Sequence, residues 1–135
     1  MPPPDVHIIV DGDPVPKGRP RFSRTSSGYV RTYTPERTAE YEARVARAAS
    51  GTTPFTEAVS VTLTFYLKRP KSLKGDSPVP HTKRPDLDNL VKAALDGLKD
   101  YLADDALVCS LSASKFYCSP TQKPHTSITI KGLTP

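Results

Sequence analysis

Long apolar stretches are missing from this sequence. No run approaches the ~20 residues that a helix needs to cross a bilayer, which argues against a membrane-spanning segment. The opening Met1-Pro2-Pro3-Pro4 has neither the charge nor the apolar block of a targeting peptide. The expectation is a soluble, intracellular protein. Cysteine is scarce: Cys109 and Cys118 are the only two, their spacing fits no zinc pattern, and both are expected to be reduced core or strand residues. His7, His81 and His125 lack metal-ligand spacing and read as structural or exposed. Hydrophobic residues make up 36%, low for a globular chain, whereas proline is plentiful at 15 residues. Several long loops and a core confined to a few elements follow. No internal repeat is visible, and 135 residues suit one domain over 1–135, with 1–5 and 132–135 as flexible ends.

Positive charge is what the chain has in excess, at a net +5. Its distribution says more than its total. Six of the 14 acids (Asp86, Asp88, Asp96, Asp100, Asp104, Asp105) fall within residues 86–105, beside only two of the 19 bases. Residues 17–33 carry Lys17, Arg19, Arg21, Arg24 and Arg31 with no acid, interleaved with Phe22, Tyr29 and Tyr33. A basic body around one acidic patch suits a protein that grips a polyanion and places metal on it. A basic surface that only confers solubility is the plainer alternative.

Periodicity supplies the elements. Residues 6–10 (Val-His-Ile-Ile-Val) read as a strand ended by Gly12, Pro14 and Pro16. Ser26-Ser27-Gly28 marks a turn within the basic strip. Residues 34–49 read as a helix, with Thr34 as N-cap and Pro35 as first helical residue. Residues 59–67 alternate as a half-buried strand, Val59, Val61, Leu63, Phe65 and Leu67 on one face. Residues 68–85 form a basic, proline-rich loop. Residues 87–102 form a second helix, burying Leu87, Leu90, Val91, Ala94, Leu98, Tyr101 and Leu102. Residues 106–117 and 126–131 read as strands. In the third strand Val108, Ser110, Ser112 and Ser114 lie out of phase with Leu107, Cys109, Leu111 and Ala113. The order β-α-β-α-β-β implies an α+β domain: a mixed sheet of about four strands with two helices on one side.

The segment richest in chemistry is Lys83-Arg84-Pro85-Asp86-Leu87-Asp88-Asn89-Leu90-Val91-Lys92. Two positions apart on a helix, side chains diverge by roughly 200°, whereas in extended backbone they share a face. Pro85 disfavours helix just before it. Asp86 therefore belongs at the cap, with the helix starting near Leu87, and the Asp86 and Asp88 carboxylates can converge. Close carboxylates repel; a divalent cation such as Mg²⁺ relieves that, and the helix N-terminus favours negative charge. Lys92 shares a helix face with Asp88, either as a cation beside a metal site or as an ordinary ion pair worth about 0.3–0.5 kcal/mol. Asp104 and Asp105 can feed the same site or cap a turn. The helix carries the chain roughly 20 Å from Asp88 before Asp104. Either the third strand folds back along the helix, or Asp105 comes from a second subunit.

The run KRPDLDNLVKAALDGL followed by DDALV resembles the RusA family of Holliday junction resolvases, as does Val15-Pro16-Lys17-Gly18-Arg19-Pro20-Arg21-Phe22 with Tyr33-Thr34-Pro35. The likeness spans roughly residues 6–131. It implies a homodimeric, Mg²⁺-dependent endodeoxyribonuclease, with Mn²⁺ as a possible substitute. Such an enzyme nicks four-way DNA junctions symmetrically, leaving 5′ phosphate and 3′ hydroxyl ends. It also implies a cytoplasmic setting in bacterial or phage-infected cells, prophages included. By position, the resemblance assigns Asp86, Asp88 and Asp105 as essential acids, Lys92 as the essential lysine and Asp104 as the acid preceding Asp105, with all four acids expected at the metal. DNA contacts are expected from Lys17, Arg19, Arg21, Arg24, Arg31, Lys71, Lys74, Lys83 and Arg84 through phosphate neutralisation. Phe22 or Tyr29 can stack on bases or pack in the core. The competing readings are a non-catalytic junction binder, a metal nuclease acting on other branched DNA, and an RNA-associated basic protein.

Overall fold

A computed structural model describes residues 5–18, 21–24, 26, 28, 30–33 and 35–133, with backbone alone at 21–24 and 30–33. Its main sheet has five strands: β1 (Val6–Asp11), β4 (Val59–Leu67), β5 (Val79–Pro80), β6 (Val108–Tyr117) and β7 (His125–Gly132). Their order is β1-β7-β4-β6-β5. Between β1 and the first helix, β2 (Arg21–Arg24) and β3 (Val30–Tyr33) pair as a separate antiparallel hairpin. The helices are α1 (Glu36–Ala49) and α2 (Leu87–Gly97).

Alternation in β4 fixes which face is dry. Val59, Val61, Leu63 and Phe65 are buried, joined by Ile8 and Val10 of β1 and by Thr126, Ile128 and Ile130 of β7. Against them pack Tyr41, Val45 and Ala49 of α1 and Leu90, Ala93 and Ala94 of α2. The Tyr41 hydroxyl, which such burial would otherwise orphan, bonds Thr126 Oγ1 at 2.6 Å. On the other face His7, Ile9, Thr62, Ser112 and Ser114 stay exposed. A sheet whose outer pairs are antiparallel tolerates this one-sided wetting. β4 and β6 run parallel. Parallel neighbours need a long crossover, and α2 lies within it.

The α+β class, the mixed sheet and the two helices are as expected, but the sheet has five strands rather than four. The additional one, β5, is two residues inside the proline-rich loop, paired to Phe116 and Tyr117. The expected first-helix N-cap, Thr34, lies outside the described residues; Pro35 occupies the cap position and Glu36 begins the helix. Helix α2 stops at Gly97, short of residue 102, and continues as a 3₁₀ turn, Lys99–Tyr101. A Cβ at Gly97 would lie 2.6 Å from Val45 Cβ, so the two helices meet there too closely for a larger residue. The third expected strand starts two residues late, after a 3₁₀ turn at Asp105–Leu107. Its phase also differs. Val108 pairs with Val59 and Ser110 with Ser60, leaving Cys109 in an irregularity that rotates Val108 onto the face of Leu111 and Ala113.

Candidate active site

The acid-bearing end of α2 is built as its sequence dictates. Asp86 is the N-cap in extended conformation (φ −70°, ψ 143°), and its carboxylate makes no capping bond. Its carbonyl takes the first helical bond, from Leu90 N at 3.2 Å. Asp88 follows in the first turn. Both residues are exposed, so two carboxylates stand open to solvent at the positive end of a helix. Arg84 approaches Asp86 at 3.5 Å, but its side chain is 88% exposed, and such a pair contributes little. Lys92, one turn further on, is exposed and forms no ion pair among the described residues, so the ordinary Asp88–Lys92 bridge is not made.

Beneath this end lies Lys115, which sequence reasoning missed. Its ammonium donates to Lys83 O at 2.6 Å and to Pro85 O at 2.7 Å. It belongs to the core-facing side of β6, paired with Phe65. A lysine in phase with Leu111 and Ala113 was the available signal. His81 N bonds Lys115 O at 3.1 Å, and the His81 ring lies 4.3 Å from that of Tyr117. Only 8% of His81 is exposed, and its Nδ1 has no partner among the described residues. Burial, then the Lys115 charge, hold its pKa below the ordinary histidine value.

The other pair of acids sits elsewhere. Asp104 accepts a bond from Ala106 N at 2.9 Å, the commoner turn-capping role. Asp105 opens the next 3₁₀ turn and is exposed. Both precede the start of β6, whereas Lys115, near its end, touches the segment before Asp86. At about 3.3 Å per strand residue, this separates Asp105 from Asp86 by on the order of 20 Å within one chain. Among the described residues no group of three or more His, Cys, Asp or Glu gathers closely enough to hold a metal. Asp86 and Asp88 have the hard oxygen donors that suit Mg²⁺, yet a single chain supplies two such carboxylates at this end, not three.

The basic residues divide. Lys17 is paired inside the fold, to Asp96 at 2.9 Å and Glu42 at 3.4 Å, with 21% of its side chain exposed. Burial opposes its charge, but the two carboxylates prevail and raise its pKa. It is therefore poorly placed as a DNA contact, and Asp96 is poorly placed as a metal ligand. Lys17 N bonds Asn89 O at 2.8 Å, which ties this part of the chain to the first turn of α2. Arg19, Phe22 (side chain) and Tyr29 lie outside the described residues, as do the side chains of Arg21, Arg24 and Arg31, whose backbones form β2 and β3. Lys71, Lys74, Lys83 and Arg84 are exposed. An open cleft of about 470 Å³ lies between Lys68, Arg69, Pro70, Lys71, Lys83 and Tyr117.

Arg69 shapes that loop. Its guanidinium donates to the carbonyls of Leu73, Ser77, Cys118, Lys74 and Gly75 at 2.8–3.4 Å. These take up all the N–H donors an arginine has.

Residues 11–131 match the family model described as endodeoxyribonuclease RusA. The chain belongs to the RusA family. That match covers the basic hairpin, the loop and all four acids of interest in this RusA-family chain. A relative, the uncharacterised protein YqaN of Bacillus subtilis (strain 168), is 31% identical over 139 residues, covering 93% of this chain and 95% of that protein. Family membership makes the chain an endodeoxyribonuclease by lineage, of a family that acts on branched DNA. Among the described residues no helix is long and apolar enough to cross a membrane.

Proposed function

We propose that this RusA-family protein is a divalent-metal-dependent resolvase that cuts four-way DNA junctions by paired, symmetric nicks, and that it works as a homodimer. The observation that carries this reading is the pair of exposed carboxylates, Asp86 and Asp88, at the N-terminus of α2, directly after the exposed bases Lys83 and Arg84 of the basic loop. Asp105 joins them across a subunit boundary. The outer edge of β6 supports this: β5 covers only Phe116 and Tyr117, so residues 108–115 meet no strand on that side among the described residues. Two such edges paired antiparallel about a two-fold axis bring the start of one β6 to the end of the other. Asp105 of the partner subunit then approaches Asp86 and Asp88. A two-fold protein also suits a junction that needs two coordinated cuts.

Asp86, Asp88 and Asp105 hold Mg²⁺, with Mn²⁺ as a substitute, and Asp104 supports Asp105 from its turn. When bound, the cation lowers the pKa of a coordinated water and polarises the scissile phosphate. Lys92 presents a positive charge one turn along the same helix face, where charge develops on the phosphate. Lys71, Lys74, Lys83 and Arg84 neutralise flanking phosphates, together with Arg19, Arg21, Arg24 and Arg31 of the strip.

Asp86→Asn is expected to lower junction nicking in Mg²⁺ by more than about 100-fold while junction binding in EDTA persists or improves. Subunit mixing tests the shared site. Asp86→Asn and Asp105→Asn are each inactive, but their heterodimer retains one intact set of acids and recovers single-strand nicking. A heterodimer with no activity would show that the acids act within one chain. Equal cleavage of duplex, flap and four-way substrates by the wild type would redirect the assignment to a general nuclease.

A further inference from the structure

Lys115 lies outside the acids and bases that the nuclease reading employs, yet it touches the chain immediately before Asp86. A lysine ammonium has three donors, and two of these are directed at Lys83 O (2.6 Å) and Pro85 O (2.7 Å). The main chain of the same residue takes His81 N at 3.1 Å. Residues 81–85 are therefore tied to β6 through both the backbone and the side chain of one residue.

The Pro85 bond matters most for aim. The Pro85–Asp86 peptide is planar, so fixing its oxygen fixes the nitrogen of Asp86 and the direction in which that residue leaves the turn. Among the described residues the Asp86 carboxylate makes no capping bond, and its contact with Arg84 is long and exposed. The helix begins at the next residue, so Asp88 inherits the same orientation. Lysine at this position also costs little in packing, because its stem lies along the core-facing side of β6 while the ammonium reaches polar oxygens at the sheet's end.

We propose that Lys115 is a positioning residue for the Asp86–Asp88 carboxylate pair, acting through the Lys83 and Pro85 carbonyls. This inference rests on the metal-nuclease reading of that pair. It acts before any DNA is bound and so belongs to the metal-free protein.

The test compares wild type, Lys115→Met and Lys115→Arg. Methionine keeps most of the stem and removes every donor; arginine keeps the charge and can donate to two carbonyls. Four quantities are read: Mn²⁺ affinity by calorimetry without DNA, amide exchange across residues 81–88 in metal-free protein, junction affinity in EDTA, and nicking rate at saturating junction. Lys115→Met is expected to weaken Mn²⁺ binding and slow nicking by roughly 10–100-fold, as loss of an outer-shell support does. Exchange across 81–88 should quicken, with junction affinity in EDTA within about twofold of wild type by the same reasoning. Lys115→Arg should recover most of the loss.

A Lys115→Met protein that binds Mn²⁺ and nicks like wild type overturns this inference alone. So does a Lys115→Arg protein no better than Lys115→Met, or a loss of junction affinity as large as the loss of Mn²⁺ affinity. Wild-type protein that neither binds Mn²⁺ nor nicks overturns the nuclease reading as well, and so separates the two failures.

Discussion

His81 shows how one side chain couples the site to pH. It is buried beside the Tyr117 ring, with the cations Lys115 and Lys83 as its charged neighbours. Its folded pKa is depressed, so below about 6.5 the unfolded chain takes up a proton that the folded chain resists. The His81 contribution to stability is constant above that pH, and stability falls as pH drops from about 6.5 through the folded pKa. Urea midpoints at pH 7.5 and 5.5 should show this loss in wild type and less of it in His81→Phe; an equal loss in both would remove His81 as the cause. Lys17 gives a second residue-scale prediction. Lys17→Met should cost about 1.5–3 kcal/mol, the range for hydrogen bonds to charged groups, in urea denaturation. It should change junction affinity less than Lys71→Ala. The sequence placed Lys17 in a DNA-binding strip because charge counting sees neighbours in the chain. Glu42 and Asp96, which claim that charge, are 25 and 79 positions away. Asp86 was legible for the opposite reason: Pro85 and the helix start, which shape its backbone, are adjacent to it in the chain.

At the scale of elements, strands and helices with strong periodicity were legible, and short or irregular ones were not. β4 alternates over nine residues and needs no outside help to be read. β5 is two residues with a proline, and only the neighbouring end of β6 makes it a strand. The phase of β6 was misread at Val108 because an irregularity opposite Val59 and Ser60 cannot be seen in one strand's own sequence. The loop between β4 and β5 reads as irregular, yet Arg69 gives it a fixed course through five carbonyls. Arg69→Lys preserves charge while losing most of those bonds. If the loop must hold Lys71 and Lys74 in register with DNA phosphates, this variant should bind four-way junctions roughly 3–10-fold more weakly, the equivalent of one charge-assisted hydrogen bond or less. Proteolysis within 70–77 should quicken. Unchanged binding with a loosened loop would mean that the lysines act by charge alone.

Across the whole molecule, the acids near Asp86 and the acid at Asp105 occupy opposite ends of β6, so the fold itself raises the question of a second copy. The sequence could pose this, from the length of α2, but not resolve it, because no local pattern marks an exposed strand edge. Leu111 lies midway along that edge, 46% exposed although it shares the core-facing side with Val61. An apolar residue there is tolerable in a dimer and a liability in a monomer, since unprotected edges invite pairing. A charge at this position is a natural block to edge-to-edge association. Leu111→Lys should therefore leave the chain folded, because the side chain is already half out of the core. In sedimentation the wild type should run as a dimer and the variant as a monomer, with nicking lost and circular dichroism unchanged. A monomeric variant that still nicks would place every necessary acid within one chain, and would require β6 or α2 to move by far more than a side chain's reach.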